Sequence, residues 1–227
     1  MSFMYHGLVE RVGEGMTATK KKETLRERRH AATAEAMLEA AERVMVANGY
    51  EQTTMQQIAL DAGCAAGTFY LYFKNKQELF EALMVRHLGA LYAASEARMA
   101  TVGDPLEKIR QSMASAVQYC QEHVGFLQVV FAAMPVRHQA MHTRLEAIGF
   151  VEPQRFRRIV EGHLRQAQKQ GQVRRDMPAD VLFSYVDALI FSFMEMLSSA
   201  PSRLGVQERA DMLWGFIAGG LMGKEAS

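Results

Sequence analysis

The stretch Thr53–Leu79, TTMQQIALDAGCAAGTFYLYFKNKQEL, decides the fold. It reads as two short helices joined by a tight turn, with a third helix opening behind them. Thr54 caps the first: its hydroxyl accepts from the backbone N–H of Gln57 while Gln57 reaches back to Thr54, a capping box. Met55, Ile58, Ala59 and Ala62 then fall on one face at spacings of three and four. Gly63 stands where that helix must stop, because glycine takes the left-handed conformation without a Cβ penalty. The second helix, roughly Ala65 to Tyr72, opens on Ala65, Ala66 and Gly67, small residues that let a backbone approach another surface closely. Thr68, Tyr70 and Tyr72 follow, then Lys74 and Lys76. Hydroxyls and ammonium groups gathered at one edge of such a helix suit phosphate contacts.

At these positions the chain resembles the helix-turn-helix of TetR/AcrR-family transcriptional regulators. The resemblance rests on Thr53-Thr54, Ile58-Ala59, Ala62-Gly63, Gly67-Thr68, Tyr70, Tyr72-Phe73, Lys76 and Leu79, and reaches back through Met37-Leu38, Ala40-Ala41 and Gly49-Tyr50. It covers residues 34 to 80; the rest of the chain fits only by length and helical pattern. It implies ligand-responsive, DNA-binding dimers, most often repressors. Thr54, Thr68, Tyr70, Tyr72, Lys74 and Lys76 are then the phosphate contacts, which set register without reading sequence. Base readout falls to Gln56, which can pair bidentately with adenine, and to Ala65, Ala66, Gly67 and Thr68, of which the alanines can offer methyls to thymine. The polar readers are few, so DNA shape has much to carry. One position departs from the family: a serine or threonine commonly precedes the recognition helix, and here Ala65 stands there, at a cost of about 1 kcal/mol for the missing cap.

The chain upstream divides into residues 1–25, expected as a disordered basic extension, and a first helix from Arg28 to Asn48 with a buried stripe of Met37, Leu38, Ala41, Val44 and Met45. Residues 1–15 lack the basic-then-apolar order of a signal peptide, and Met16 offers an alternative start. Lys20, Lys21, Lys22, Arg26, Arg28 and Arg29 stand against Glu23 and Glu27. They form either a solvated tail or an arm for DNA phosphates or the minor groove. Phe69, Phe73 and Tyr50 are expected in the core of the module.

Downstream, the pattern predicts a helix from Lys76 to Ala100 shared by a DNA-binding domain (26–80) and a C-terminal domain (81–227). Gly103-Asp104-Pro105 then supplies a stop, an N-cap and a first helical position. Further helices follow after Pro105, through FLQVVFAAM, over Arg137–Gly149, from Pro153 to Gln170, from Pro178 to Ser199 and from Val206 to Leu221. The basic residues of the helix after Pro153 read as a solvated face or a second DNA patch. The Pro178–Ser199 helix is apolar over most of its circumference, with a narrow polar stripe of Asp180, Ser184, Asp187 and Glu195. Such a helix needs partners on two sides. With the glycine-bearing last helix it suggests a four-helix homodimer interface over 179–199 and 206–221.

The expected fold is therefore all-α, about nine helices in two domains. The chain of 227 residues is 49% hydrophobic and 22% charged, with a net charge of +1, so overall charge is no argument for nucleic acid and local placement must carry it. No eighteen residues are uninterruptedly apolar, so no membrane partner is expected. Two distant cysteines, Cys64 and Cys120, make neither a disulfide framework nor a metal site, and a cytoplasmic location is expected. Sixteen methionines suggest either core filler or a plastic pocket for apolar effectors. Met113, Val117, Phe126, Phe131, Met134, Phe183 and Phe191 are its candidate lining, with Asp187 and Glu195 for a cationic group. His138, His142 and Glu146 share a helix face at metal-ligand spacing, but a further ligand is needed, so no metal and no cofactor are assigned. No catalytic spacing and no glycine-rich phosphate loop of the P-loop or dinucleotide type is present, which argues against an enzyme. The function expected is a sequence-specific repressor on a near-palindromic double-stranded operator, released by a small, largely apolar ligand. The alternative is a regulator or activator of the same fold controlled by a partner or by no ligand and, remotely, an enzyme.

Overall fold

The computed structural model describes residues 24–133, 143, 146–199 and 205–222. Among them are nine helices and no strand: α1 Leu25–Asn48, α2 Met55–Asp61, α3 Ala66–Tyr72, α4 Lys76–Ala100, α5 Pro105–Glu122, α6 Val124–Ala133, α7 Glu152–Lys169, α8 Ala179–Ser199 and α9 Val206–Met222. The all-α architecture is as the periodicity predicts. The basic extension up to residue 23, Met134, His138 and His142 lie outside the described residues, as does most of the helix expected over Arg137–Gly149.

The described residues form two compact units. One runs to Gly89 and includes those between Gln128 and Val151; the other holds Ala90–Leu127 and the chain from Glu152 onward. The sequence reading put a boundary at 80/81. That point falls inside α4, which continues unbroken, and the units change at 89/90.

In the first unit, α1 begins at Leu25, three residues before the start that its apolar stripe suggests. The reason is local: the Glu27 N–H donates to the Thr24 hydroxyl at 3.2 Å, and the Thr24 N–H donates to the Glu27 carboxylate at 2.7 Å. This capping box carries the helix through the polar run that periodicity cannot see. Met37, Leu38, Ala40, Ala41 and Met45 of α1 are buried with Ile58 of α2, Phe69 of α3, and Leu79 and Leu83 of α4. Thr53, 1% exposed, donates its hydroxyl to the Gly49 carbonyl at 2.7 Å and so satisfies the close of α1 from below.

In the second unit, Asp104 caps α5 by accepting from the Glu107 N–H at 2.8 Å, and Pro105 takes the first helical position. Helix α5 packs on α7 and α9, and α8 packs on α7, α9 and α5. Ile109, Met113, Val160, Leu164, Leu182, Val186 and Ile217 form one buried cluster; Val117, Phe193 and Ala210 form another. Arg155 grips Glu96 through two bonds of 2.7 Å and reaches the buried Glu152 at 3.0 Å, so that carboxylate is enclosed with its counter-charge. By length and composition α8 is a helix that could cross a membrane, although charges interrupt its apolar run. Here its Leu182, Val186 and Phe193 are buried against the other helices of the unit.

Candidate nucleic-acid interface

The turn between α2 and α3 is built as its sequence demands. The Cys64 N–H donates to the Ala59 carbonyl at 3.0 Å and the Gly63 N–H to the Leu60 carbonyl at 3.1 Å, closing α2 with both bonds of a Schellman motif. Gly63 carries φ +65°, a backbone that a side chain would strain. The Thr54 box is formed: the Gln57 N–H donates to the Thr54 hydroxyl at 3.2 Å and the Thr54 N–H to the Gln57 side chain at 2.8 Å. Ala65 takes the N-cap of α3 with extended dihedrals and no side-chain bond, so the front of the helix keeps unsatisfied amides.

Phe69 and Phe73 are buried, 5.8 Å apart between ring centroids, and pin one side of α3 to the core. The opposite side is open. Gly67 lies there, and Ala65, Ala66, Thr68 and Tyr70 are exposed around the rest of the helix, as are Thr54 and Gln56 at the start of α2 and Lys74 beyond. Two candidate contacts are already engaged. Tyr72 is half-buried and stacks on His30 of α1, ring centroids 4.6 Å apart. Lys76 turns its ammonium back into the module: it donates to the carbonyls of Tyr50 at 2.8 Å and Glu51 at 3.1 Å and lies 4.5 Å over the Tyr50 ring. In this geometry Lys76 ties the start of α4 to the α1–α2 loop, and the amides in front of α4 are met by Asn75, which accepts from the Glu78 N–H at 2.8 Å. Arg26, Arg28 and Arg29 stand exposed on the first turns of α1.

Three residues on or beside this surface escaped the sequence reading: His30, Asn75 and Leu71, the last 75% exposed. Asn75 had a readable signal, a capping side chain three residues before Glu78. Leu71 had one too. It lies two residues from both core phenylalanines, hence on the far side of the helix. His30 had none, since its stack on Tyr72 joins residues 42 positions apart.

The candidate effector residues are spread through the chain rather than gathered. Met113 and Phe183 belong to one buried cluster and Val117 to another. Phe126 is buried, Phe131 and Phe191 are half-buried, and Glu195 is exposed. Asp187 is half-buried beside Tyr92; burial, with the Asp187 and Glu152 charges behind it, raises that phenol above its ordinary range and keeps it protonated. An apolar cavity of about 420 Å³ lies elsewhere in the second unit, between α8 and α9, lined by Met177, Leu182, Tyr185, Val186, Leu189, Phe216 and Ile217 with Arg174 at its edge; none of the candidate residues lines it.

The open face of α3, framed by a capped α2 and a fixed glycine turn, defines an all-helical protein of the helix-turn-helix class. Residues 37–83 match the model of "Bacterial regulatory proteins, tetR family", and these helices are similar to that family's. The chain is similar to an uncharacterized HTH-type transcriptional regulator of Haemophilus influenzae, 36% identical over 94 residues, 41% of this chain; the match spans 50% of that relative's length. It is also similar to the HTH-type transcriptional repressor AcnR of Corynebacterium glutamicum, 24% identical over 188 residues, 80% of this chain and 90% of that one. In fold it resembles the transcriptional regulator FadR from Bacillus subtilis, solved with stearoyl-CoA: TM-score 0.70 at 18% identity, covering 82% of this chain and 98% of that one.

Proposed function

We propose that this chain is a sequence-specific, double-stranded-DNA-binding transcriptional regulator of the cytoplasm, a repressor that a small, largely apolar effector releases from its operator. It acts by binding rather than by turnover. The observation that carries the reading is the exposed face of α3, small at its front and edged by the Thr68 and Tyr70 hydroxyls and Lys74. A helix of that shape can enter a major groove while its edges donate to phosphates.

The protein acts as a homodimer. Tyr185 and Met196 on α8 and Met212 and Phe216 on α9 are 59%, 47%, 61% and 70% exposed. Four large apolar side chains on two neighbouring helices suit a second copy that pairs α8 and α9 with their own counterparts. Two recognition helices would then reach successive major grooves about 34 Å apart on a near-palindromic site. The effector need only bind the state that cannot span those grooves more tightly; a hundredfold preference, about 2.7 kcal/mol, releases most operators. Helix α4 runs without a break from the first unit into the second, so it is the direct covalent path for that response. The stearoyl-CoA in the FadR structure supports apolar acyl compounds as the first effectors to try.

The test is a mobility shift on the chain's own upstream DNA across a salt series, with Tyr70→Ala beside it. Specific binding should weaken steeply with salt. Loss of one charge-assisted hydroxyl contact, about 1.5–3 kcal/mol, should weaken the variant tenfold or more. Equal binding by both proteins would remove Tyr70 from the interface. No enrichment of any sequence from a random duplex library would overturn the reading.

A further inference from the structure

The face of α3 that points away from the core is centred on two residues with no role inside the chain. Phe69 is fully buried. Gly67 and Leu71 lie two positions before and after it, so each stands about 160° from it around the helix, one turn from the other. Leu71 is 75% exposed, an aliphatic side chain in water on a helix whose other exposed residues are small or hydroxylated. Gly67 is equally unexplained by the fold. A Cβ added there would meet nothing within 4 Å, and its φ is not in the left-handed region. Glycine inside a helix is less stable than alanine because it gives up more backbone freedom. The free chain therefore loses by having glycine at 67 and gains no burial from leucine at 71, so each is open to what docks against the helix.

The occupant follows from the chemistry around the pair. Thr68, Tyr70 and Lys74 flank it, Arg26, Arg28 and Arg29 are exposed on α1, and α3 itself carries no acidic residue. An apolar centre inside a donor-rich, cationic border complements a nucleic-acid groove with phosphates at its edges. In that groove the exposed apolar group is the C5-methyl of thymine. Resting on the DNA-binding reading above, we propose that Leu71 is a specificity-determining residue that packs on a thymine methyl of each operator half-site, and that Gly67 keeps the helix backbone bare so that Leu71 can reach it. The sparse polar readers on α3 are then supplemented by a methyl-reading contact that hydrogen-bond counting does not reveal.

Deoxyuridine tests this, because it keeps the Watson–Crick edge of thymine and removes only the methyl. The probe is the duplex that the wild-type chain selects from a random library, with each thymine replaced in turn. At one thymine per half-site the wild type should lose roughly fourfold in affinity, the worth of one buried methyl. Leu71→Ala should bind the thymine duplex more weakly and lose nothing further on uracil at that position. Gly67→Ala should melt at a higher temperature yet bind more weakly, a combination that a purely structural role for Gly67 does not produce. If Leu71→Ala keeps the wild-type uracil penalty at every position, or binds as tightly as wild type, the assignment of Leu71 is overturned while DNA binding stands. If the wild type selects no duplex, the DNA-binding reading itself fails and this inference with it.

Discussion

Helix α3 and helix α8 both leave large apolar side chains in water, in opposite surroundings. Helix α3 has seven residues, is pinned by Phe69 and Phe73, and shows Leu71 amid alanine, glycine and hydroxyl groups. Helix α8 has 21 residues, buries Leu182, Val186 and Phe193, and still shows Tyr185 and Met196, with Phe216 exposed on the neighbouring α9. A single exposed leucine with a polar surround suits a contact that forms and dissolves with a wet, charged partner. Several exposed aromatics and methionines around an apolar cavity suit a lasting match with another apolar face. In the proposed function the same hydrophobic effect serves reading in one unit and assembly in the other.

The comparison breaks first at its anchors. Phe69→Ala should cost about 3–5 kcal/mol, since it empties a fully enclosed site, and denaturant unfolding should register it as loss of the first unit. Phe216→Ala, from a 70% exposed site, should leave the folded protomer nearly unchanged and weaken self-association roughly tenfold in sedimentation, the range of an interface anchor. Equal losses of fold stability in the two variants would mean that Phe216 belongs to a core and not to an interface.

A smaller effect sharpens the first unit's side of the comparison. Ala65→Ser should restore a side-chain cap to α3 and raise stability by about 1 kcal/mol, and Thr54→Ala should lower it by a similar amount by opening the α2 capping box. Thermal melts of the pair decide it. If Ala65→Ser gives no gain, the front of α3 is satisfied in some other way.

The smallest effect lies in the second unit and depends on pH. The Gln172 side-chain amide, followed by the backbone amide of Glu107, holds the Asp104 carboxyl below its ordinary value. A carboxylate lowered on folding lends stability above its unfolded value, about 3.9, and loses it as pH falls through the lower native value. Because Asp104 is at the surface, solvent screens the effect. The Asp104→Asn variant, which keeps a good N-cap, should therefore match wild type near neutral pH except for a small loss, and should show a shallower decline as pH falls below about 4 by circular dichroism. An identical acid profile would take Asp104 out of the pH response.

The two units also differ in how much of them could be read in advance. In the first, the deciding interactions are local. Thr54 with Gln57, Gly63 at its turn and Phe69 with Phe73 are each within four residues of their partners or of their structural task, so spacing predicts them. Leu71 is equally local, but its signal is an apolar side chain on the far face of a short helix, which hydroxyl and charge spacing does not mark. In the second, the helices were legible from Pro105, Gly171 and Pro178, but the cavity was not. Its lining comes from α8, α9 and the turn at Arg174–Met177, and helical phase alone pointed instead at Met113 and Phe191.

By itself the sequence determined the all-helical build, the helix-turn-helix between Thr54 and Tyr72, the missing cap at Ala65 and the caps that open α2 and α5. Each of these follows from contacts a few residues long. Only the tertiary structure decided that Lys76 folds back onto the carbonyls of Tyr50 and Glu51, that His30 stacks on Tyr72, that Arg155 grips Glu96, and that the cavity lies between α8 and α9. Those pairings join residues that periodicity treats as independent, and which of several exposed or half-buried partners a long side chain meets is set by how whole helices pack rather than by the residues beside it.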